Sequence, residues 1–384
     1  MPNISREDGF TITELLISTT IVLIVLSGAL QTFNQGLQIN DAGTQLADAN
    51  QNLRAGTNQL VRDIMMAGRI IGTDGVSMPT GAGITFARPG PTTLNFDLVA
   101  DTDSTLQMPS IQSGYQLGPT VNGAKTDIIT ILTIDEFMPV VVIPNPAPAP
   151  ASLAVGEGIL SADGTNVTLS ATSQWLAGDT AADTPMIQVG DLVFYKNSNG
   201  NAIQTVTRKD ATHIYFDANN SNDFFHFNQP NATTAPGRPL QVMKGAATIA
   251  TDAWTSPPAA AAAPQVTLFK ALMITYYVDN TTVPGTPRLT RVINHFAAQA
   301  LAGVVEDLDL SYDLVDGVVN PVNVGSLPYT LNSVVYSASQ IRKVNIHMGV
   351  RSEVMSKPAQ DYVRNHISTS VNVRSLVAID RYTS

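Results

Sequence analysis

The sequence predicts an α+β protein in which one long N-terminal α-helix precedes a β-rich head of antiparallel strands. An apolar run at residues 10–30 predicts the helix, and apolar residues continue beyond it at helical spacing, with no proline between Pro2 and Pro79. A change to a period of two after residue 75 predicts the strands. Apolar residues make up 44% of the 384 residues, which is enough to bury a sizeable core.

The apolar run at residues 10–30 is long enough to cross a membrane. At 1.5 Å per residue, a helix of this length measures about 31 Å, and the hydrocarbon core of a bilayer is about 30 Å thick. The run contains one charged residue, Glu14, and its serine and threonine hydroxyls can bond to the preceding helical turn. The sequence therefore predicts a single transmembrane helix.

The short polar segment before this run, residues 1–9, differs from an ordinary secretory signal. A signal peptide places its small-residue cleavage site after the apolar core, whereas here the small residue Gly9 precedes it. Cleavage after Gly9 would leave the apolar helix on the mature protein. That helix would then begin with Phe10.

The start of the apolar run also carries a recognisable motif, G-F-T-x-x-E-L-L, formed by Gly9, Phe10, Thr11, Glu14, Leu15 and Leu16. This order resembles the type IV prepilin signal of pilins and of type II secretion pseudopilins. The resemblance implies that residues 1–9 are a leader, which a membrane peptidase removes by cutting between Gly9 and Phe10. It also implies that the new amino group of Phe10 is methylated.

The charge of Glu14 also needs a physical explanation. Placing a carboxylate on a membrane helix costs free energy, and such a carboxylate normally has a cationic partner. No Lys or Arg follows Glu14 before Arg54. The α-amino group of Phe10 on a neighbouring subunit could provide that partner, and the resemblance implies this pairing during filament growth. The alternative is that Glu14 lies at the membrane edge, partly hydrated and without a partner.

Residues 31–75 are predicted to continue the helix as an amphipathic segment. Apolar side chains recur every seven residues, with alanines beside them, at Ile39, Ala42, Leu46, Ala49, Leu53 and Leu60. Such a narrow stripe is suited to packing against a sheet or another helix. Gly68, Gly72 and Gly75 predict the end of the helix near residue 70.

Residues 76–384 are predicted to form the head. Its clearest predicted strands are Ile128–Ile134, Leu192–Tyr195 after the turn Gly190-Asp191, His213–Phe216, Asp307–Leu314 and Val344–Val350. Two Pro/Ala-rich tracts, 143–151 and 256–264, predict surface loops. Neither tract needs to be a domain boundary, because strands on its two sides can pair with each other.

Further segments narrow the resemblance to PilW-type minor pilins and J-type minor pseudopilins. They are Gln51–Gly72, Lys125–Ile131, Gly190–Tyr195, Ile274–Val278, Leu301–Tyr312, Ile341–Ile346 and the basic terminal strand. The resemblance implies a pilin-like fold over most of the chain.

The resemblance also implies four kinds of partner: a prepilin peptidase, other major and minor pilins, an inner-membrane assembly platform, and membrane lipids before assembly. The chain would first be a single-pass inner-membrane protein with a periplasmic head, and later part of a pilus at the cell surface.

Enzymatic motifs are absent from the sequence. It contains no cysteine, no G-x-S-x-G elbow, no P-loop, and no pair among its five histidines at the i, i+4 spacing of a zinc protease. Asp101 and Asp103 resemble the start of a calcium loop without its later glycine and glutamate, and we interpret them as a solvated turn. We therefore expect no enzymatic activity, metal or cofactor.

The charges are unevenly distributed along the chain. The formal net charge is −10, which argues against a general nucleic-acid binder, but residues 342–384 contain seven Lys or Arg and three Asp or Glu. These basic residues could meet an acidic partner or DNA. The favoured interpretation is a solvated sheet face balanced by an acidic strand that carries Glu306, Asp307, Asp309 and Asp313.

The sequence thus predicts a minor pilin that initiates or caps the assembly of a type IV pilus. A minor pseudopilin of a type II secretion system is the nearest alternative. A membrane-tethered adhesin or hydrolase, in which the head does the main work, is the alternative from a different class.

Overall fold

A computed structural model of the chain describes residues 11–72, 75–79, 85–98, 106–144, 148–161, 163–176, 186–228, 239–244, 264–353, 355 and 361–373. Over these residues the chain forms one long N-terminal helix followed by a β-rich domain whose strands pair antiparallel. The predicted α+β class is therefore confirmed.

Helix α1 runs from Ile12 to Met66 without interruption, a length of 55 residues or about 83 Å. It ends because Ala67 leaves the helical conformation and Gly68 adopts a φ of 73°, which a residue without a side chain tolerates easily. The Thr133 hydroxyl donates to the Met66 carbonyl at 2.8 Å, and the Gly68 N–H donates to the Leu132 carbonyl at 2.9 Å. These bonds fix the end of the helix to the sheet.

The strands of the first half of the domain are β1 Val76–Met78, β2 Ala87–Arg88, β3 Leu94–Asn95, β4 Leu106–Met108, β5 Ile111–Gly114, β6 Thr120–Val121, β7 Ala124–Lys125, β8 Ile128–Ile134, β9 Val141–Ile143, β10 Gly158–Leu160 and β11 Asn166–Leu169. The remaining strands are β12 Leu192–Asn197, β13 Gly200–Thr205, β14 Arg208–Lys209, β15 His213–Tyr215, β16 Val266–Asp279, β17 Arg288–Ile293, β18 Gln299–Leu314, β19 Tyr329–Leu331, β20 Val334–Tyr336, β21 Ile341–Arg351 and β22 Arg364–Asn372. A short helix, α2, spans Pro239–Lys244.

The main sheet has ten strands, and the long strand β16 organises it. The order is β13-β12-β16-β17-β18-β21-β22, with β8 and β9 also paired to β16 and with β5 paired to β8. Strand β8 precedes the first Pro/Ala-rich tract, β9 ends at the first residue of that tract, and β16 follows the second tract, so strands do pair across these tracts. Every predicted strand is present, and β18 begins at Gln299 rather than at Asp307.

The C-terminal part of α1 packs on one face of this sheet. Leu53, Leu60 and Ile64 are at most 2% exposed, and each contributes about 1.5–3 kcal/mol of hydrophobic stabilisation. At Gly56 the helix approaches the sheet so closely that a side-chain carbon would lie 3.0 Å from Ala302 and from Leu289.

The predicted apolar stripe of α1 is buried in its C-terminal part alone. Ala49, Leu53 and Leu60 lie in the core, whereas Ile39 is 71% exposed and Leu46 is 39% exposed. From Ala49 onward the expected packing of the stripe against a sheet is therefore confirmed, whereas the packing of Ile39 and Leu46 against another helix remains a prediction.

Two further cores stabilise the rest of the domain. One lies among β8, β12, β16 and the preceding short strands, with Phe86, Phe194, Phe225 and Phe227 at its centre. The other covers the small sheet β10-β11-β15-β14, where the buried Trp175 donates its indole N–H to the Pro139 carbonyl at 2.6 Å.

A buried charged network also joins α1 to the sheet. The Asp63 carboxylate is fully buried and accepts hydrogen bonds from the Arg291 guanidinium at 2.7 Å and from the Tyr276 hydroxyl at 2.6 Å. Gln59, one turn earlier on the helix, donates its amide to Asp63 at 3.2 Å. Burial and the adjacent Asp63 carboxylate raise the pKa of Tyr276, so its hydroxyl stays protonated and continues to donate.

This network predicts a large effect for a single substitution. Asp63→Ala should destabilise the detergent-solubilised protein by about 3–5 kcal/mol, because it leaves a buried phenol and a guanidinium that is only 14% exposed without their acceptor. Thermal unfolding followed by circular dichroism would measure the change. Asp41→Ala, at an exposed position of the same helix, is the matched control and should shift stability by less than about 0.5 kcal/mol. Equal shifts in the two variants would contradict the role of Asp63.

Candidate functional site

The first turn of α1 contains Glu14 in a reciprocal capping arrangement. Thr11 is the N-cap residue, and its hydroxyl oxygen accepts from the Glu14 N–H at 3.3 Å. In return, Glu14 Oε2 accepts from the Thr11 N–H at 3.0 Å and from the Thr11 hydroxyl at 2.9 Å. This capping box satisfies two backbone donors that a helix start would otherwise leave free, and it places the carboxylate at the positive end of the helix dipole.

The capping box modifies both sequence-based interpretations of Glu14. The carboxylate has partners within its own chain, which neither interpretation included. Both of these bonds use Oε2, and no described residue donates to Oε1. Glu14 is exposed to solvent, so Oε1 is accessible to a donor from outside the chain.

The N-terminal part of α1 exposes a continuous apolar surface. Its large apolar side chains are 48–78% exposed from the first turn up to Ile39, at Ile12, Leu15, Leu16, Ile17, Ile21, Val22, Leu23, Ile24, Val25, Leu26, Leu30, Phe33, Leu37 and Ile39. By length and composition this helix could cross a membrane, and no residue of its most apolar stretch is buried by the described part of the protein. A surface of this size marks a contact with lipid or with another protein.

Polar side chains within the apolar stretch bond to the helix itself. The Thr19 hydroxyl donates to the Leu15 carbonyl at 2.9 Å, and the Thr20 hydroxyl donates to the Leu16 carbonyl at 2.7 Å. The expectation that these hydroxyls return to the preceding turn is confirmed. The stretch therefore presents no free hydroxyl at these positions to an apolar environment.

Some predicted positions lie outside the described residues. They include Gly9 and Phe10, where cleavage and methylation are expected, and Asp101 and Asp103, which were interpreted as a solvated turn. Their assignments remain predictions.

The acidic strand and the basic residues of the last two strands pair with each other. Glu306 accepts from Arg351 and from Arg364, both at 2.8 Å, and Asp313 accepts from Lys343 at 3.0 Å. The hydrogen bond to Glu306 raises the pKa of Arg364. For these residues the expected charge balance is confirmed, but the expected solvated face is wrong for one pair, because the side chains of Arg351 and Glu306 are only 8% and 11% exposed.

The five histidines are dispersed over the head. His213 lies beside Asp210, His295 stacks on Phe224 with ring centroids 3.8 Å apart, and His347 stacks on His366 at 5.6 Å. Within the described part of the chain, no group of three or more His, Asp or Glu side chains is arranged to hold a metal ion.

Sequence reasoning missed two structural roles near the ends of α1. The capping role of Thr11 could have been found, because T-x-x-E before an apolar run is the sequence pattern of a capping box. The buried role of Asp63 had no comparable local signal, since Tyr276 and Arg291 are more than 200 residues away in the sequence.

A comparison of the chain with known protein families, with curated proteins and with solved structures finds no match. The class of protein is therefore defined by the structure itself: an α+β protein with one N-terminal helix that could span a membrane.

The exposed helix generates a direct prediction about membrane association. Replacing both Leu23 and Leu26 with lysine should move the full chain from the membrane to the soluble fraction, because each lysine near the bilayer centre costs about 3 kcal/mol on insertion scales. Extraction of membranes with alkaline carbonate would measure the distribution. The matched control replaces Leu37 and Ile39, which are also exposed but lie beyond residues 10–30, and it should remain in the membrane fraction. Retention of both double variants would show that this helix is not the anchor.

Proposed function

We propose that the protein is a minor pilin, a subunit without enzymatic activity that initiates or caps the assembly of a type IV pilus. The observation that carries the proposal is the continuous helix α1, whose C-terminal part is buried in the head while its N-terminal part is apolar and exposed on all sides. The apolar N-terminal part of such a helix has to be shielded from water. Lipid shields it before assembly, and the packed helices of other pilins shield it in the filament.

The geometry of Glu14 supports the same function. In a filament core the carboxylate is removed from water, so its charge needs a compensating cation. Oε1 has no donor among the described residues, and the Phe10 amine of a neighbouring subunit is the cation that the prepilin resemblance implies. The pairing would favour the incorporation of a subunit at one axial position along its neighbour.

The proposal defines the partners and the location of the protein. A prepilin peptidase acts on Gly9 and Phe10, other major and minor pilins pack against the helix, and an inner-membrane platform adds the subunit to the filament. The head lies in the periplasm before assembly and on the pilus afterwards.

A minor pseudopilin of a type II secretion system would use the same helix surface. Neighbouring genes separate the two functions: a retraction motor with other prepilin genes indicates a pilus, and a secretin cluster without such a motor indicates secretion. If the protein were instead a tethered hydrolase, a purified head would act on generic substrates.

Processing tests the proposal at its first step. The mature protein should begin at Phe10 with a methylated amino group, because Gly9 lies directly before the helix and is small enough for a peptidase to accept. Gly9→Leu should block cleavage, whereas Ser5→Leu, within the same leader, should not. Mass spectrometry of the N-terminal peptide from filaments measures both. A filament fraction that retains residues 1–9 in the wild type would contradict the proposal.

Substitution of Glu14 tests the assembly step. Glu14→Ala and Glu14→Gln should leave membrane insertion and cleavage normal and should abolish incorporation, because both remove the charge that pairs with a neighbouring amine. The measurement is the ratio of this protein in sheared filaments to that in membranes.

Two further variants make this test specific. Thr11→Ala removes the capping box but keeps the carboxylate, so it should retain more incorporation than either Glu14 variant. Ser18→Ala, one turn further along the helix, should behave as the wild type. Unchanged ratios in both Glu14 variants would leave Glu14 as an interfacial residue. If Thr11→Ala lost as much incorporation as the Glu14 variants, the effect of the Glu14 variants would be assigned to the loss of the capping box.

A further inference from the structure

Four charged side chains of α1 are exposed and have no partner in the described part of the chain: Asp41, Asp48, Arg54 and Arg62. None of them has an opposite charge three or four residues away, so the helix itself forms no ion pair with them. These four side chains are therefore available to a partner outside the chain.

The two signs of charge are separated along the helix. The two carboxylates lie before the docked part, which begins at Ala49, and the two guanidiniums lie within it, on the side of the helix away from the sheet. No Lys or Arg occurs on α1 before Arg54, and the one acidic residue after Asp48 is the buried Asp63. The helix thus has an acidic face and a basic face that do not meet within one chain.

The spacings of the two faces match. Asp41 and Asp48 are seven residues apart, about 10.5 Å along the axis, and Arg54 and Arg62 are eight residues apart, about 12 Å. Arg54 follows Asp41 by 13 residues and Arg62 follows Asp48 by 14, which are distances of about 20 and 21 Å. One axial displacement of about 20 Å between two parallel helices would therefore bring each carboxylate level with one guanidinium.

The shape of the molecule allows this displacement. Asp48 of one copy would lie level with Arg62 of the other, four residues before α1 ends at Met66. The docked part of the first copy would then lie mostly beyond the helix end of the second copy. The acidic face of the first copy is free of its own sheet, and the small exposed side chains Ala55 and Asn58 lie between the arginines of the second. The two faces can therefore approach each other.

We infer that the exposed side of α1 binds a second copy of this chain, parallel to the first and displaced by about 20 Å along the helix axis. Asp41 and Asp48 of one copy pair with Arg54 and Arg62 of the other, and this charge complementarity selects the partner and its displacement. The inference rests on the proposed function for the parallel order of the helices. It deepens that function, because it names one neighbour of the subunit in the assembly.

An antiparallel pair would also match the four charges, with Asp41 opposite Arg62 and Asp48 opposite Arg54. It would point the two apolar N-terminal parts in opposite directions, whereas the helices of the proposed filament all leave the membrane from one side. The parallel order therefore agrees with the proposed function, and the antiparallel order does not.

The displacement places the contact in the assembled state. In one bilayer the apolar parts of two copies lie at the same depth, whereas the contact displaces them by about two thirds of the hydrocarbon thickness. The charges would therefore meet after the subunits have left the bilayer. Because the contact joins different faces of the two copies, each copy keeps one face for a further subunit.

Cysteine crosslinking tests the inference with the full chain, which contains no cysteine of its own. The single-cysteine variants are Asp41→Cys, Asp48→Cys, Arg54→Cys and Arg62→Cys. Each is made with two different tags, and pairs of variants are expressed together. A short bismaleimide is applied to sheared filaments and to the purified protein in detergent, where no bilayer fixes the depth of the helix.

The pattern of crosslinks identifies the arrangement. Positions 62 with 48 and 54 with 41, the matched combinations, should give the higher yields, and in each case the other charge pair remains intact. Positions 62 with 41 and 54 with 48, the antiparallel combinations, should give yields at least about fivefold lower, because an axial separation of seven or eight residues, about 10.5–12 Å, remains between them in the parallel arrangement.

Charge reversal tests whether the charges hold the contact. With cysteines at positions 62 and 48, Arg54→Glu on the first copy should lower the yield about fivefold, because an attractive pair becomes repulsive. Asp41→Arg on the partner copy should restore the yield. Lys125→Glu makes the same change of charge at an exposed position of the head, and as the matched control it should leave the yield unchanged.

Several outcomes would overturn the inference: no crosslink in the matched combinations, equal or higher yields in the antiparallel combinations, adducts with a different protein alone, or a yield that Arg54→Glu does not change. The proposed function is tested separately by the presence of the protein in sheared filaments. If filaments contain the protein and the matched combinations do not crosslink, the inference alone fails. If the matched combinations crosslink in detergent and filaments lack the protein, the proposed function fails and the inference stands, because the crosslinks themselves establish the parallel order.

Discussion

The docking of the C-terminal part of α1 on the main sheet is the interaction on which the rest of the structure depends. Leu53, Leu60 and Ile64 provide its apolar contacts, and Asp63 ties the helix to Arg291 and Tyr276 in the middle of the sheet. A buried ion pair adds little to the free energy of unfolding when both partners are present. Removal of one partner destabilises the protein strongly, because it leaves a buried charge without compensation. The close approach at Gly56 and the contacts of Asp63 both favour one position of the helix along the sheet.

The same helix must satisfy two environments, and its sequence changes accordingly. Up to Leu30 the large apolar side chains lie on every side of the helix, as suits lipid or a bundle of similar helices. From Ala49 they are confined to one side, because the other side faces water. Glu14 is the exception in the first part, and its bonds to Thr11 lower the cost of the charge by giving one carboxylate oxygen two donors. The second oxygen remains for an external donor.

The sequence predicted those features that depend on local periodicity. The helix and the strands Ile128–Ile134 and Leu192–Asn197 follow from unbroken apolar patterns. The start of β18 was missed because small residues and two register shifts disrupt the alternation there. The Asp63 network was missed because its members come from distant parts of the chain, which periodicity does not bring together. Of the predicted site, Glu14 is described, and Gly9 and Phe10 lie outside the described residues.

Glu14 and the docked part of α1 lie on one uninterrupted helix, and this has a consequence for assembly. Leu53 is 39 residues beyond Glu14, a distance of about 59 Å along the helix axis. In the proposed filament, pairing at Glu14 would fix the axial position of a subunit relative to its neighbour. Because the helix is continuous and Asp63 ties its C-terminal part to the sheet, the same pairing would also fix the axial position of the head. A slip of one helical turn, about 5.4 Å, would separate Glu14 from the neighbouring amine. One polar contact at the start of an apolar surface would therefore set the register that apolar packing leaves open.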